Sequence, residues 1–140
     1  MVYLNQDYLR PKSLTPTYPP YHQGEYIEEY FYSHYQQLET KPEREYIDIF
    51  WSNIFCNKIW AGQPYPDLQN LLYETLSSDG KYFTVCQQDD GPFEDFPEDP
   101  MIFHAGGNRK QSNVLPIPLV CSSIPEPPNP ANTYFTSFID

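Results

Sequence analysis

Apolar residues recur along this chain in two periods, one helical and one extended. Between residues 25 and 39, Ile27, Tyr30, Phe31, His34, Tyr35 and Leu38 fall at the i, i+3, i+4, i+7, i+8 and i+11 positions of one helix face. Glu25, Glu28, Glu29, Gln36 and Glu39 lie on the opposite face, and the early glutamates suit the positive end of a helix dipole. The spacing predicts a helix over 25–39 with these acids in solvent and His34 as a satisfied core residue on the apolar side. Pro42 closes that region. Glu45 to Trp51 (EYIDIFW) is a short β-prone run and reads as a buried strand. Further on, Asp67 can cap a helix whose stripe is Leu68, Leu71, Leu72 and Leu76, with Asp79-Gly80 as its stop. Lys81 to Gln88 (KYFTVCQQ) then reads as a second strand. Strand, helix and strand in that order predict a right-handed parallel crossover.

Beyond residue 88 the pattern changes. Asp89 to Pro100 holds six carboxylates and three prolines, which predicts a solvated loop rather than a strand. Met101 to Ala105 is a short strand candidate, and Gly106-Gly107-Asn108-Arg109-Lys110 a turn. Val114 to Cys121 is apolar throughout but contains Pro116 and Pro118. Backbone donors alternate sides along a strand, so both prolines remove donors from the same edge, which predicts an edge strand. Residues 124–132 read as a Pro-rich linker and 134–139 as a last short strand. At the other end, residues 1–24 are rich in Tyr and Pro and predict an extended arm ahead of a domain spanning 25–140. No internal repeat is visible.

Charge narrows the function. Eight Lys plus Arg against nineteen Asp plus Glu give a formal net charge of -11, which repels phosphate backbones and argues against nucleic acid as a partner. Three cysteines, Cys56, Cys86 and Cys121, are odd in number and without a CxxC pair, so they read as buried free thiols in a reducing compartment. No early apolar stretch is long enough for a signal peptide or a membrane span, and the expectation is a cytoplasmic or otherwise soluble chain.

Two strand ends offer chemistry. In an open α/β sheet, ligands bind in the crevice beyond the carboxyl ends of the strands. Gln87-Gln88-Asp89-Asp90 leaves one strand, where amides and carboxylates can bond sugar hydroxyls or serve as a general base. The same residues also suit an ordinary strand-to-loop transition. His104-Ala105-Gly106-Gly107-Asn108 leaves another, and paired glycines let a backbone approach a ligand closely, although they also make a common turn. Adjacent Asp89 and Asp90 diverge along a strand, and His22, His34 and His104 lack ligand spacing, so no metal site is expected. GxSxG, GxxxxGK[ST] and GxGxxG are all absent. Nine of the thirteen Tyr precede residue 47, and exposed Tyr faces pack well against sugar CH groups, as well as against a sheet.

The succession YPPYHQGEYIEEYF from Tyr18, then YIDIFW, KYFTVCQQDD, FHAGGN and LPIPLVCSSIP, resembles the exostosin-like glycosyltransferases across most of the chain. It is similar to their compact microbial and large-virus members. The resemblance implies a small, mostly parallel, Rossmann-like α/β sheet with flanking helices, equivalent to the amino-terminal, acceptor-side half of a two-domain GT-B-type enzyme. The partner domain would be a carboxyl-terminal half that binds the nucleotide-sugar donor, a co-substrate rather than a cofactor, and that half lies outside this chain, which therefore reads as truncated. Under that logic a carbohydrate acceptor meets His22, Gln88, Asp89, Asp90, Gly106, Gly107 and Asn108, with Asp89 or Asp90 as general base. No metal is required, because a helix dipole or basic side chains of the other half can stabilise the leaving diphosphate. The competing expectation is a non-catalytic glycan- or protein-binding module.

Overall fold

The computed structural model describes residues 7–14, 25–106 and 112–118. Its elements are a 3₁₀ turn at Asp7–Leu9, α1 at Ile27–Gln37, β1 at Glu45–Tyr46, α2 at Trp51–Ala61, α3 at Leu68–Thr75, β2 at Tyr82–Cys86, β3 at Met101–His104 and β4 at Val114–Pro116. All pairings are parallel and the strand order is β1-β2-β3-β4, so the described chain is an α/β fold with a four-stranded parallel sheet and three helices, compatible with a Rossmann-like layout.

Alternation along β2 divides the core into two faces. Phe83 and Val85 point to the side covered by α1, where they meet Tyr35 and Tyr46 with Phe31, Leu38 and Phe103 around them. Tyr46 and Phe83 stack at 5.2 Å, and Phe31 meets both rings edge-on. Tyr82 and Cys86 point the other way, into Ile47, Ile49, Trp51, Ile54, Leu68 and Leu72 beneath α2 and α3. Burial on both faces is what an all-parallel sheet requires. It explains why all five β2 residues are buried.

Several expectations hold. The helix expected over 25–39 forms at Ile27–Gln37, and Asp67 caps α3 by accepting from the Asn70 N–H at 3.1 Å. β1 and β2 are parallel across the α2–α3 crossover. β4 stands at the sheet edge: Ile102 N–H bonds Asn113 O and Ile117 N–H bonds His104 O, so alternate β4 residues face β3 and Pro116 turns its missing donor outward.

Other expectations are corrected. EYIDIFW is not one strand, because only Glu45 and Tyr46 join the ladder and Trp51 starts α2. Past Tyr46 the extended chain leaves β2 gradually: Ile47 N–H still reaches Phe83 O, the Thr84 hydroxyl donates to Ile47 O at 3.0 Å, and Phe50 N–H turns instead to Leu9 O. α2 itself had no counterpart in the sequence reading. It ends on Gly62 at φ 63, a left-handed cap that glycine adopts without steric cost.

Residues 7–14 do not behave as an arm. Leu9 is fully buried in the core, Asn53 Nδ2 donates to Pro11 O, and Asn57 bonds both Lys12 O and Leu14 N–H. The acidic loop is also less solvated than expected, since Phe96 packs on Trp51, Phe93 on Phe55, and Tyr65 donates to Glu94 at 2.7 Å. His34 is exposed rather than part of the core, while Glu28, assigned to the polar face, is fully buried. The linker and last strand expected after residue 124 lie outside the described residues.

Candidate functional site

The carboxyl ends of β2 and β3 meet as a rim. Because Cys86 pairs with His104, Gln87 onward and Ala105 onward leave the sheet side by side. Gln88 O accepts from Gly91 N–H at 3.0 Å, closing a four-residue turn with Gly91 at φ 76. Asp89 and Asp90 occupy the middle of that turn, with both side chains exposed. Gln88 is half-buried, and its side-chain oxygen accepts from Asp90 N–H, so this amide shapes the turn.

His104 is buried at the end of β3, and its Nε2 lies 2.5 Å from Gln88 O. A carbonyl oxygen only accepts, so Nε2 carries the proton. The ring also lies against Gly91 and Gly106. A Cβ on Gly106 would sit 2.6 Å from Asp89 O, so what approaches this glycine closely is the neighbouring turn. The structure therefore brings together Gln88, Asp89, Asp90 and Gly106. His22, Gly107 and Asn108 lie outside the described residues.

Behind the rim lies a cluster that the residue pattern concealed. Glu28 Oε1 accepts from Ser52 N–H at 3.0 Å, Ser52 Oγ at 2.6 Å and Gln87 N–H at 3.2 Å. Gln87 Oε1 in turn accepts from Ile27 N–H, the first residue of α1. Phe50 provides no side-chain cap for α2, so Glu28 caps that helix from another element. Burial pushes the Glu28 carboxyl above its ordinary range, only partly offset by the hydrogen bonds from Ser52 and Gln87. In the sequence, the one signal was an acidic residue near the start of a helix, one of three there with Glu25 and Glu29, which also fits simple dipole complementarity.

Both described thiols are buried. Burial raises the pKa of both Cys56 and Cys86, and both are free. Cys121 lies outside the described residues. Among the described residues, no group of three or more His, Cys, Asp or Glu is placed to hold a metal ion, and no helix is long and apolar enough to cross a membrane.

Among the described residues, cavities also lie away from the rim. One, of about 640 Å³, runs along the α1 side of β3 and β4 and is lined by Ile27, Phe31, Val85, Met101, Phe103 and Ile117. Another, of about 590 Å³, lies among Tyr8, Lys12, Asn57, Gln63, Tyr65 and Asp67. The fold and rim define a parallel α/β protein with a polar carboxyl edge. Compared with known proteins, the chain matches no family model, no curated protein and no solved structure.

Proposed function

We propose that this chain is the acceptor-side half of an exostosin-like, GT-B-type glycosyltransferase. The observation that carries the reading is the rim itself: a parallel sheet whose adjoining carboxyl ends expose Asp89 and Asp90 beside Gly106, on the edge of the sheet that open α/β proteins use for ligands. In this reading the acceptor hydroxyl lies against the Gln88–Gly91 turn. Asp89 or Asp90 takes its proton as the hydroxyl oxygen bonds the sugar's anomeric carbon. The bond from that carbon to the diphosphate breaks, and the nucleoside diphosphate leaves with its electron pair. The donor belongs to the second half, outside this chain. Clustered carboxylates disfavour acidic sugars, so a neutral or amino-sugar acceptor fits the rim best.

The test is an NMR titration of this chain with neutral and amino-sugar oligosaccharides. Saturable shifts at the amides of Gln88 to Gly91 and at Gly106 are expected, and their absence across the panel overturns an acceptor site here. In the two-domain protein, Asp89→Asn combined with Asp90→Asn should lower transfer by roughly 10²–10⁴-fold, the usual contribution of a positioned base.

A second reading, a glycan- or protein-binding module without chemistry, draws on the cleft between Tyr8 and Tyr65. Tyrosine rings there can stack on a sugar or on an apolar side chain. Saturable shifts confined to Tyr8, Asn57 and Tyr65 in the same titration would favour it.

A further inference from the structure

Glu28 and Asp48 are the buried carboxyl groups among the described residues, and their surroundings differ. Asp48 faces the Arg10 guanidinium at 3.0 Å. Glu28 forms no ion pair: all its hydrogen bonds fall on Oε1, while Oε2 is buried with no partner among the described residues. A carboxylate ion there would leave half its charge desolvated on Oε2, which is costly. A neutral carboxyl group keeps Oε1 as the acceptor and carries its proton on Oε2. Through that one group pass the amino end of α2, the carboxyl end of β2 and, by way of Gln87, the amino end of α1.

We propose that Glu28 is the positioning residue of the rim, a protonated carboxyl group that ties α1 and α2 to the end of β2, and that losing its proton loosens the turn bearing Asp89 and Asp90. This rests on reading that turn as the acceptor side, yet its readout needs no sugar, so the two ideas fail separately.

The sign follows from linkage. Burial raises the folded-state pKa of Glu28 above 4.5, so its contribution is complete below about that pH and is lost as pH rises towards the folded value. Glu28 acts on Tyr46 from β1, Cys56 from α2 and Cys86 from β2, with Glu25 and Glu29 on its own helix segment, while Asp48 acts on the same Tyr46 and Asp89 on the same Cys56. The Tyr46, Cys56 and Cys86 groups are pushed upward and stay neutral through the acid-to-neutral range. Asp48 is also raised by burial, against the pull of Arg10, and is the group to separate from Glu28.

The experiment is amide hydrogen exchange, corrected for intrinsic rates, from about pH 4 to pH 8 on the wild-type chain, Glu28→Gln and Asp48→Asn. Opening at the Ser52 and Gln87 amides should increase with pH in the wild type by up to about tenfold per pH unit. Asp48→Asn should keep that rise, and Glu28→Gln, which preserves the Oε1 acceptor, should abolish it. A flat wild-type profile, or a rise that persists in Glu28→Gln, overturns the proposal. If Glu28→Gln does not fold, a wild-type rise that survives in Asp48→Asn supports the proposal, and a rise that disappears there assigns the proton to Asp48 and overturns it.

Discussion

His104 Nε2 donates to Gln88 O across 2.5 Å, so the end of β3 holds the turn that follows β2. This bond converts a sheet register into a fixed position for Asp89 and Asp90. Replacing His104 with Ala should remove the donor and leave a void against Gly91 and Gly106. A stability loss of about 1–3 kcal/mol is expected from denaturant unfolding. Exchange should accelerate most at the Gly91 amide.

Gly106→Ala tests the same contact from the other side. Its Cβ would fall 2.6 Å from Asp89 O, a backbone atom with little freedom to yield. The expected cost is about 1–3 kcal/mol, the range for overpacking. Amide shifts should centre on Asp89. Stability equal to the wild type would mean the rim is looser than this packing implies.

Trp51 Nε1 donates to Thr84 Oγ1 at 2.8 Å, and Thr84 donates onward to Ile47 O. Thr84→Val strands a buried indole N–H and a carbonyl together and should cost about 1–3 kcal/mol. In Trp51→Phe with Thr84→Val, the stranded N–H is gone, so the double variant should lose less than the sum of the two single changes. Urea unfolding of the three variants measures that difference.

Arg10 and Asp48 carry a pH dependence. Burial outweighs Arg10 and raises the Asp48 pKa, so Asp48 costs stability increasingly as pH rises above 3.8. Arg10→Met removes the compensating cation and should destabilise by on the order of 3 kcal/mol at neutral pH. The loss should shrink as pH falls and Asp48 takes up its proton. Thermal unfolding at several pH values checks this, with Asp48→Asn expected to suppress the trend.

Elements carried by local signals were legible. The capped leucine stripe of α3, the β-rich run of β2 and the paired prolines of β4 each contain their own instructions. α2 was not legible, because Ile54, Phe55, Ile59 and Trp60 are residues of modest helix propensity and follow a strand-like run. The Ala61-Gly62 stop was the available clue. Gln88, Asp89, Asp90 and Gly106 were legible as a rim because strand ends and turn residues are local features. Glu28 was not, since its partners Ser52 and Gln87 lie 24 and 59 residues away.

The amino-acid pattern by itself determined that this is a parallel α/β chain with an acidic surface, an edge strand rich in proline and a polar exit from β2. Periodicity, capping and turn chemistry act over a few residues and can be read in order. Only the tertiary structure decided where the EYIDIFW strand gives way to α2, that Leu9 belongs to the core, and that Glu28 faces inward. Those outcomes depend on which distant donors and apolar surfaces meet, and a buried carboxyl group is tolerated only where such donors have been assembled around it.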